Sequence, residues 1–109
     1  MSETLDTADA FFAGAQLATS LAVLPDGNKV RIREMTAAER AEFPKLQKAD
    51  PAQVAAWLTL SCCLDGKGAA LFSADTLAQL QAASPRLTEA ISIAVMRLSG
   101  LLDDPGKNV

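Results

Sequence analysis

The chain contains no histidine and no tyrosine, and its aromatics are four phenylalanines and Trp57. Without histidine, Ser-His-Asp and Cys-His nucleophilic pairs are excluded, and so is a histidine general base. A zinc site would have to be built without its usual nitrogen ligand and from too few thiolates. The two cysteines, Cys62 and Cys63, are adjacent. Neighbours on a helix point about 100° apart, so a disulfide between them is not expected. They read as two small buried apolar residues. Paired carboxylates occur only as Asp103-Asp104 near the end of the chain or scattered along polar helix faces, and neither placement supplies the buried acid that proton transfer needs. The glycines of Asp65-Gly66-Lys67-Gly68 lack the spacing of a phosphate-binding loop. No enzymatic activity, cofactor or metal is expected.

Other features are missing as well. Residues 1–5 carry no basic region followed by an apolar run, so no signal peptide is read. No segment approaches the roughly 20 apolar residues of a membrane-spanning helix. The expectation is a soluble intracellular protein. The net charge is −3, which counts against general binding to nucleic acid or to an anionic membrane. Charge is unevenly spread. Residues 29–48 hold six basic side chains (Lys29, Arg31, Arg33, Arg40, Lys45, Lys48) against three acidic ones (Glu34, Glu39, Glu42). The ordinary reading is a solvated strand and helix face. The alternative is a contact patch for an acidic partner, centred on Arg31 and Arg33.

What is present is alanine. Half of the 109 residues are hydrophobic and 21% are charged, a globular balance. Alanine-rich, β-branch-poor segments favour helix. The expected fold is mostly α (small α+β): an N-terminal segment and one β-hairpin followed by about four helices, in a single domain spanning 1–109 with flexible ends at 1–6 and 103–109.

A short helix is expected over residues 8–18, capped by Asp6 or Thr7 and weakened by Gly14 in its middle. Its Phe11-Phe12 pair is expected to pack on the chain's own core, the alternative being an arm that docks on a neighbour. Residues 20–24 and 29–35 read as two strands joined by Pro25-Asp26-Gly27-Asn28, a strong turn signal. A lone hairpin is marginal in water, so its free edges are candidates for strand addition. Thr36 and Glu39 have the spacing of a capping box and launch a helix over 37–48, expected to stop or kink near Phe43 because of Pro44. Asp50-Pro51 starts the next helix, over 51–63, which is apolar nearly all round and reads as the centre of the fold. Ser73 caps a helix ending near Ala82. Ser84-Pro85 opens the last, over 85–101, with a stripe of Leu87, Ile91, Val95 and Leu98. Ile93, Met96 and Leu101 widen that stripe beyond one face, which predicts self-association.

The order of these pieces resembles the tail assembly chaperones of long-tailed bacteriophages. An N-terminal Phe11-Phe12-Ala13-Gly14-Ala15 precedes a strand that Pro25-Asp26-Gly27 turns. Val30 to Arg40 is similar to that family's strand-into-helix segment. Ala56-Trp57-Leu58, with the run to Leu64-Asp65, resembles its central apolar helix. Leu71-Phe72-Ser73-Ala74-Asp75 and Val95-Met96-Arg97-Leu98-Ser99-Gly100-Leu101 resemble its last two helices. The resemblance implies a non-enzymatic virion assembly factor acting in the host cytoplasm, from a phage or prophage. It implies binding to the tape measure protein and recruitment of the major tail protein. It also implies a longer form made by ribosomal frameshifting, for which Gly106-Lys107 is a candidate site. Phe11, Phe12, Arg31, Arg33, Ile93 and Met96 are the candidate partner-binding residues. Two rival readings are a small phage-encoded DNA-binding regulator and a structural head-tail or neck component.

Overall fold

The hairpin is set by its turn. In the computed structural model, which describes residues 4–102, the Leu24 amide donates to the Asn28 carbonyl at 2.8 Å and the Gly27 amide to the Leu24 carbonyl at 2.9 Å. Asp26 Oδ1 accepts from the Asn28 amide. Gly27 sits at φ +90°, a left-handed conformation that costs glycine little. The strands β1 (Thr19–Val23) and β2 (Lys29–Arg33) therefore pair antiparallel with Ala22 opposite Val30 and Ser20 opposite Ile32. Ala22 and Ile32 face the core; Leu21, Val23, Lys29 and Arg31 face out.

A third strand, which the periodicity does not reveal, completes the sheet. β3 (Cys63–Leu64) lies antiparallel to β2, giving the order β1-β2-β3. The chain then turns back through residues 65–69, where Asp65 Oδ1 accepts from the Lys67 and Ala69 amides, and Ala70 bridges to Leu64. The returning chain thus lies alongside β3, while β1 has no second strand partner among the described residues.

The described residues also form five helices: α1 (Ala8–Ala13), α2 (Ala37–Ala49), α3 (Val54–Cys62), α4 (Leu77–Ala82) and α5 (Pro85–Leu98). The fold is mostly α with a small sheet, as composition implies. α3 packs along α5, and α5 also underlies β1 and β2. One core joins them, built from Ala22, Ile32, Met35, Phe43, Val54, Leu58, Cys62, Cys63, Ile91 and Val95.

Four sequence expectations need correction. Pro44 neither stops nor divides α2. Its missing N–H and ring clash cost about 3 kcal/mol, but both ends of the helix are held. The Thr36–Glu39 capping box is complete, Phe43 is buried, and the Asp50 amide closes on the Leu46 carbonyl. The helices expected to start at Pro51 and after Ser73 begin instead with single 3₁₀ turns, Pro51–Gln53 and Ala74–Thr76, and neither Asp50, Ser73 nor Ser84 makes a side-chain capping bond. The first helix ends at Ala13, with Gly14 at its C-cap. Finally, the buried face of α5 is Thr88, Ile91, Ser92 and Val95, rotated from the expected leucine stripe towards small hydroxyl residues. Leu87 and Leu98 flank it half-buried. The expected flexible ends, at 1–3 and 103–109, the ending of the last helix by Asp103-Asp104 and slippage at Gly106-Lys107 lie outside the described residues.

Candidate functional site

The buried polar groups are structural. Arg33 leaves β2 and turns into the junction of β2, α2 and α3. Its guanidinium donates to both carboxylate oxygens of Glu39, at 2.7 and 3.0 Å, to the Ser61 carbonyl at 2.7 Å and to the Glu34 carbonyl at 2.9 Å. Those bonds from Arg33 hold the Glu39 carboxyl below the usual range, outweighing the opposing effect of burial. Arg40 reaches the Ser99 carbonyl, and Ser99 Oγ accepts from the Met35 amide, so the end of α5 is tied to the strand-helix corner. Of the six basic residues Arg33 alone is drawn into the domain; Arg40 stays exposed while bonding the Ser99 carbonyl. Lys29 and Arg31 remain exposed, and Lys45 lies 3.7 Å from Glu42 in a solvent-facing pair of little energetic weight.

The cysteines are free and buried. Burial pushes the Cys62 thiol up to about 11 and the Cys63 thiol up to about 12, so neither offers a thiolate at neutral pH. In the native protein a thiol-reactive dye should label neither cysteine, and in denaturant it should label both; rapid native labelling would contradict the packing of the α3–β3 junction. Among the described residues no three metal-ligating side chains come together.

The surface is more informative. α1 stands away from the core: none of its residues is buried, and Phe11 and Phe12 are 56% and 67% exposed. Their rings meet only edge to face, with centroids 5.3 Å apart. The expectation that this pair packs on its own core is overturned, because the segment leading from α1 to β1 carries it clear of the domain. Thr7 caps α1 through the Ala10 amide.

A second apolar surface runs beside the open edge of β1. There a groove of about 710 Å³ is lined by residues 20–23 of β1, Ile32 of β2 and Ala90, Ile93, Ala94, Arg97 and Leu98 of α5; Ala22 and Ile32 are on the buried face of the sheet, and Leu21 and Val23 alternate to the exposed one. Leu21, Val23 and Ile93 are each exposed. Of the candidate contact residues, Ile93 lies in this groove, Arg31 on the outer face of the sheet opposite Leu21, and Phe11 and Phe12 on the arm. Met96 packs half-buried against the core and Arg33 is engaged as described, so the structure does not bring these two together with the others. Sequence reasoning missed Leu21, Val23 and Arg97. In the run Leu21-Ala22-Val23-Leu24 all four residues are apolar, and the inward alternation becomes visible only once the register is known.

No family model matches the sequence, and no curated protein matches it. The fold is similar to that of the bacteriophage HK97 tail assembly chaperone, with a TM-score of 0.55 and 17% sequence identity, over 72% of this chain and 83% of that one. At this identity the likeness is one of fold. It falls on the family that the order of motifs resembles.

Proposed function

We propose that this chain is a non-enzymatic tail assembly chaperone of a long-tailed bacteriophage, working in the host cytoplasm. In this reading it binds the tape measure protein, keeps it soluble and helps recruit the major tail protein. The likeness of fold to a tail assembly chaperone over most of both chains carries the reading, and the independent order of sequence motifs supports it.

The chemistry of the surface suits the task. A partner that is long and largely helical is held through apolar surfaces presented in many copies. The chain exposes Phe11 and Phe12 on an arm, Ile93 in a groove and Arg31 on the outer face of the sheet; these are the contact residues in this reading. A DNA-binding role fits less well, since Arg33 is turned inward onto Glu39 and the net charge is acidic.

An assembly factor and a structural tail component separate in the finished particle. Deleting the gene should abolish tails, while mass spectrometry of purified wild-type virions should find no copies of the chain. Stoichiometric copies in the virion would make it a head-tail or neck component instead.

A further inference from the structure

We propose that Glu34 is the residue that positions the Phe11-Phe12 arm, its carboxylate clamping the chain at the point where the arm leaves the sheet. The inference rests on the tail-assembly reading only in taking Phe11 and Phe12 as contact residues. The clamp itself follows from the hairpin ladder.

The register of the hairpin puts Ala18 opposite Glu34, one residue beyond the pairing of Thr19 with Arg33. In an antiparallel sheet, residues that face each other in a hydrogen-bonded pair exchange both of their backbone bonds. At this rung half of the exchange is made, with the Glu34 amide donating to the Ala18 carbonyl at 2.9 Å. The other half is diverted. The Glu34 carbonyl accepts from the Arg33 guanidinium at 2.9 Å, and the Ala18 amide donates to Glu34 Oε2 at 2.7 Å. A side chain thus stands in for the last backbone acceptor of the ladder, at the residue from which the arm departs.

The arm has little else to hold it. No residue of α1 is buried, and the Thr7 cap and the contact between the two phenylalanine rings are internal to the arm. Gln16 and Leu17, which lead from α1 to Ala18, make no hydrogen bond among the described residues. Removing the carboxylate therefore hands the Ala18 amide to water and lets the arm swing about residues 16–18, while the rest of the β1–β2 ladder stays paired. An arm held in one direction presents both rings with less freedom left to lose when a partner orders them. The bond needs an acceptor oxygen and not a charge, so glutamine can make it and alanine cannot.

Amide NMR on the full chain tests this, with Glu34→Ala and Glu34→Gln beside the wild type. In the wild type the amides of residues 8–13 should relax as part of the domain, and the Ala18 amide should be protected from exchange. Glu34→Ala should speed exchange at Ala18 by about tenfold or more and set residues 8–13 moving on the nanosecond timescale. Exchange at Ala22 and Ile32, inside the ladder, should stay as in the wild type. Glu34→Gln should keep both the protection at Ala18 and the order of the arm. If Glu34 merely stabilised the hairpin, exchange at Ala22 and Ile32 would rise in step with Ala18, and that result overturns the proposal. So does an arm that moves freely in the wild type, one that stays ordered in Glu34→Ala, or a glutamine variant that behaves like alanine. None of these readouts involves a partner. A freely moving wild-type arm on a chain that still keeps a tape measure protein soluble would end this proposal and leave the tail-assembly reading standing.

Discussion

Replacing Leu58 with alanine is expected to destabilise the fold by about 3 kcal/mol, the cost of deleting a fully buried leucine whose site cannot collapse. Leu58 has no solvent exposure. It sits on α3, the helix that packs along α5 and feeds directly into β3, so its cavity would be walled by elements pinned from several directions. Urea unfolding should show a lower midpoint with an unchanged slope. Phe12→Ala makes the matched control: a larger side chain is truncated, yet the change should stay within about 0.5 kcal/mol because Phe12 is exposed. A loss at Leu58 no larger than that of Phe12 would contradict the placement of the core.

Arg33→Ala should cost about 2–3 kcal/mol, since it strips a bidentate partner from a largely buried carboxylate and two carbonyl bonds with it. The side chains of Arg33 and Glu39 are only 18% and 20% exposed, so water replaces these bonds poorly. Lysine should not rescue the site, because one ammonium cannot match the planar fork that spans Glu39 and the Ser61 carbonyl. The pair also sets a pH dependence. The Glu39 carboxyl titrates lower in the folded state than in the unfolded chain, chiefly through the hydrogen bonds from Arg33. Its contribution is therefore complete above the ordinary carboxylate range and is lost as pH falls through the lowered value, so stability should decline below about pH 4. Glu39→Gln should flatten that part of the profile, and a double-mutant cycle with Arg33→Ala should return a clear coupling energy. An acid profile unchanged by Glu39→Gln would show that the pair contributes nothing to it.

These two sites differ in how legible they were. The Thr36–Glu39 box and the Pro25-Asp26-Gly27-Asn28 turn could be read directly, because each depends on residues three or four apart. The fold class followed from alanine content, and the central place of α3 from a helix with almost no polar face. Arg33 looked like one of a row of exposed basic residues. Its inward turn depends on the Ser61 carbonyl, 28 residues away in sequence, and no local pattern encodes that. β3 was hidden for the same reason: Cys63 continues an apolar helical run, and only the unpaired edge of β2 draws it into a strand. The hairpin's need for a further partner was legible, but the partner's identity was not. Phe11 and Phe12 are the opposite case. Their size predicts burial, and only the course of the chain between α1 and β1 keeps them out. On α5, the leucines outweigh the hydroxyls in any hydrophobic reading. Yet Thr88 satisfies its own hydroxyl on the Pro85 carbonyl and takes the buried face, leaving Ile93 exposed at the groove.

The candidate surface is thus the product of long-range placement, and its purpose is best tested with the partner the proposal names. The most direct measurement is the soluble fraction of the tape measure protein from the same phage, expressed alone and then together with this chain. The account predicts that the tape measure protein aggregates alone and becomes soluble, co-purifying with many copies of the chain, when the two are made together. A tape measure protein that stays insoluble beside abundant, folded chain would contradict it.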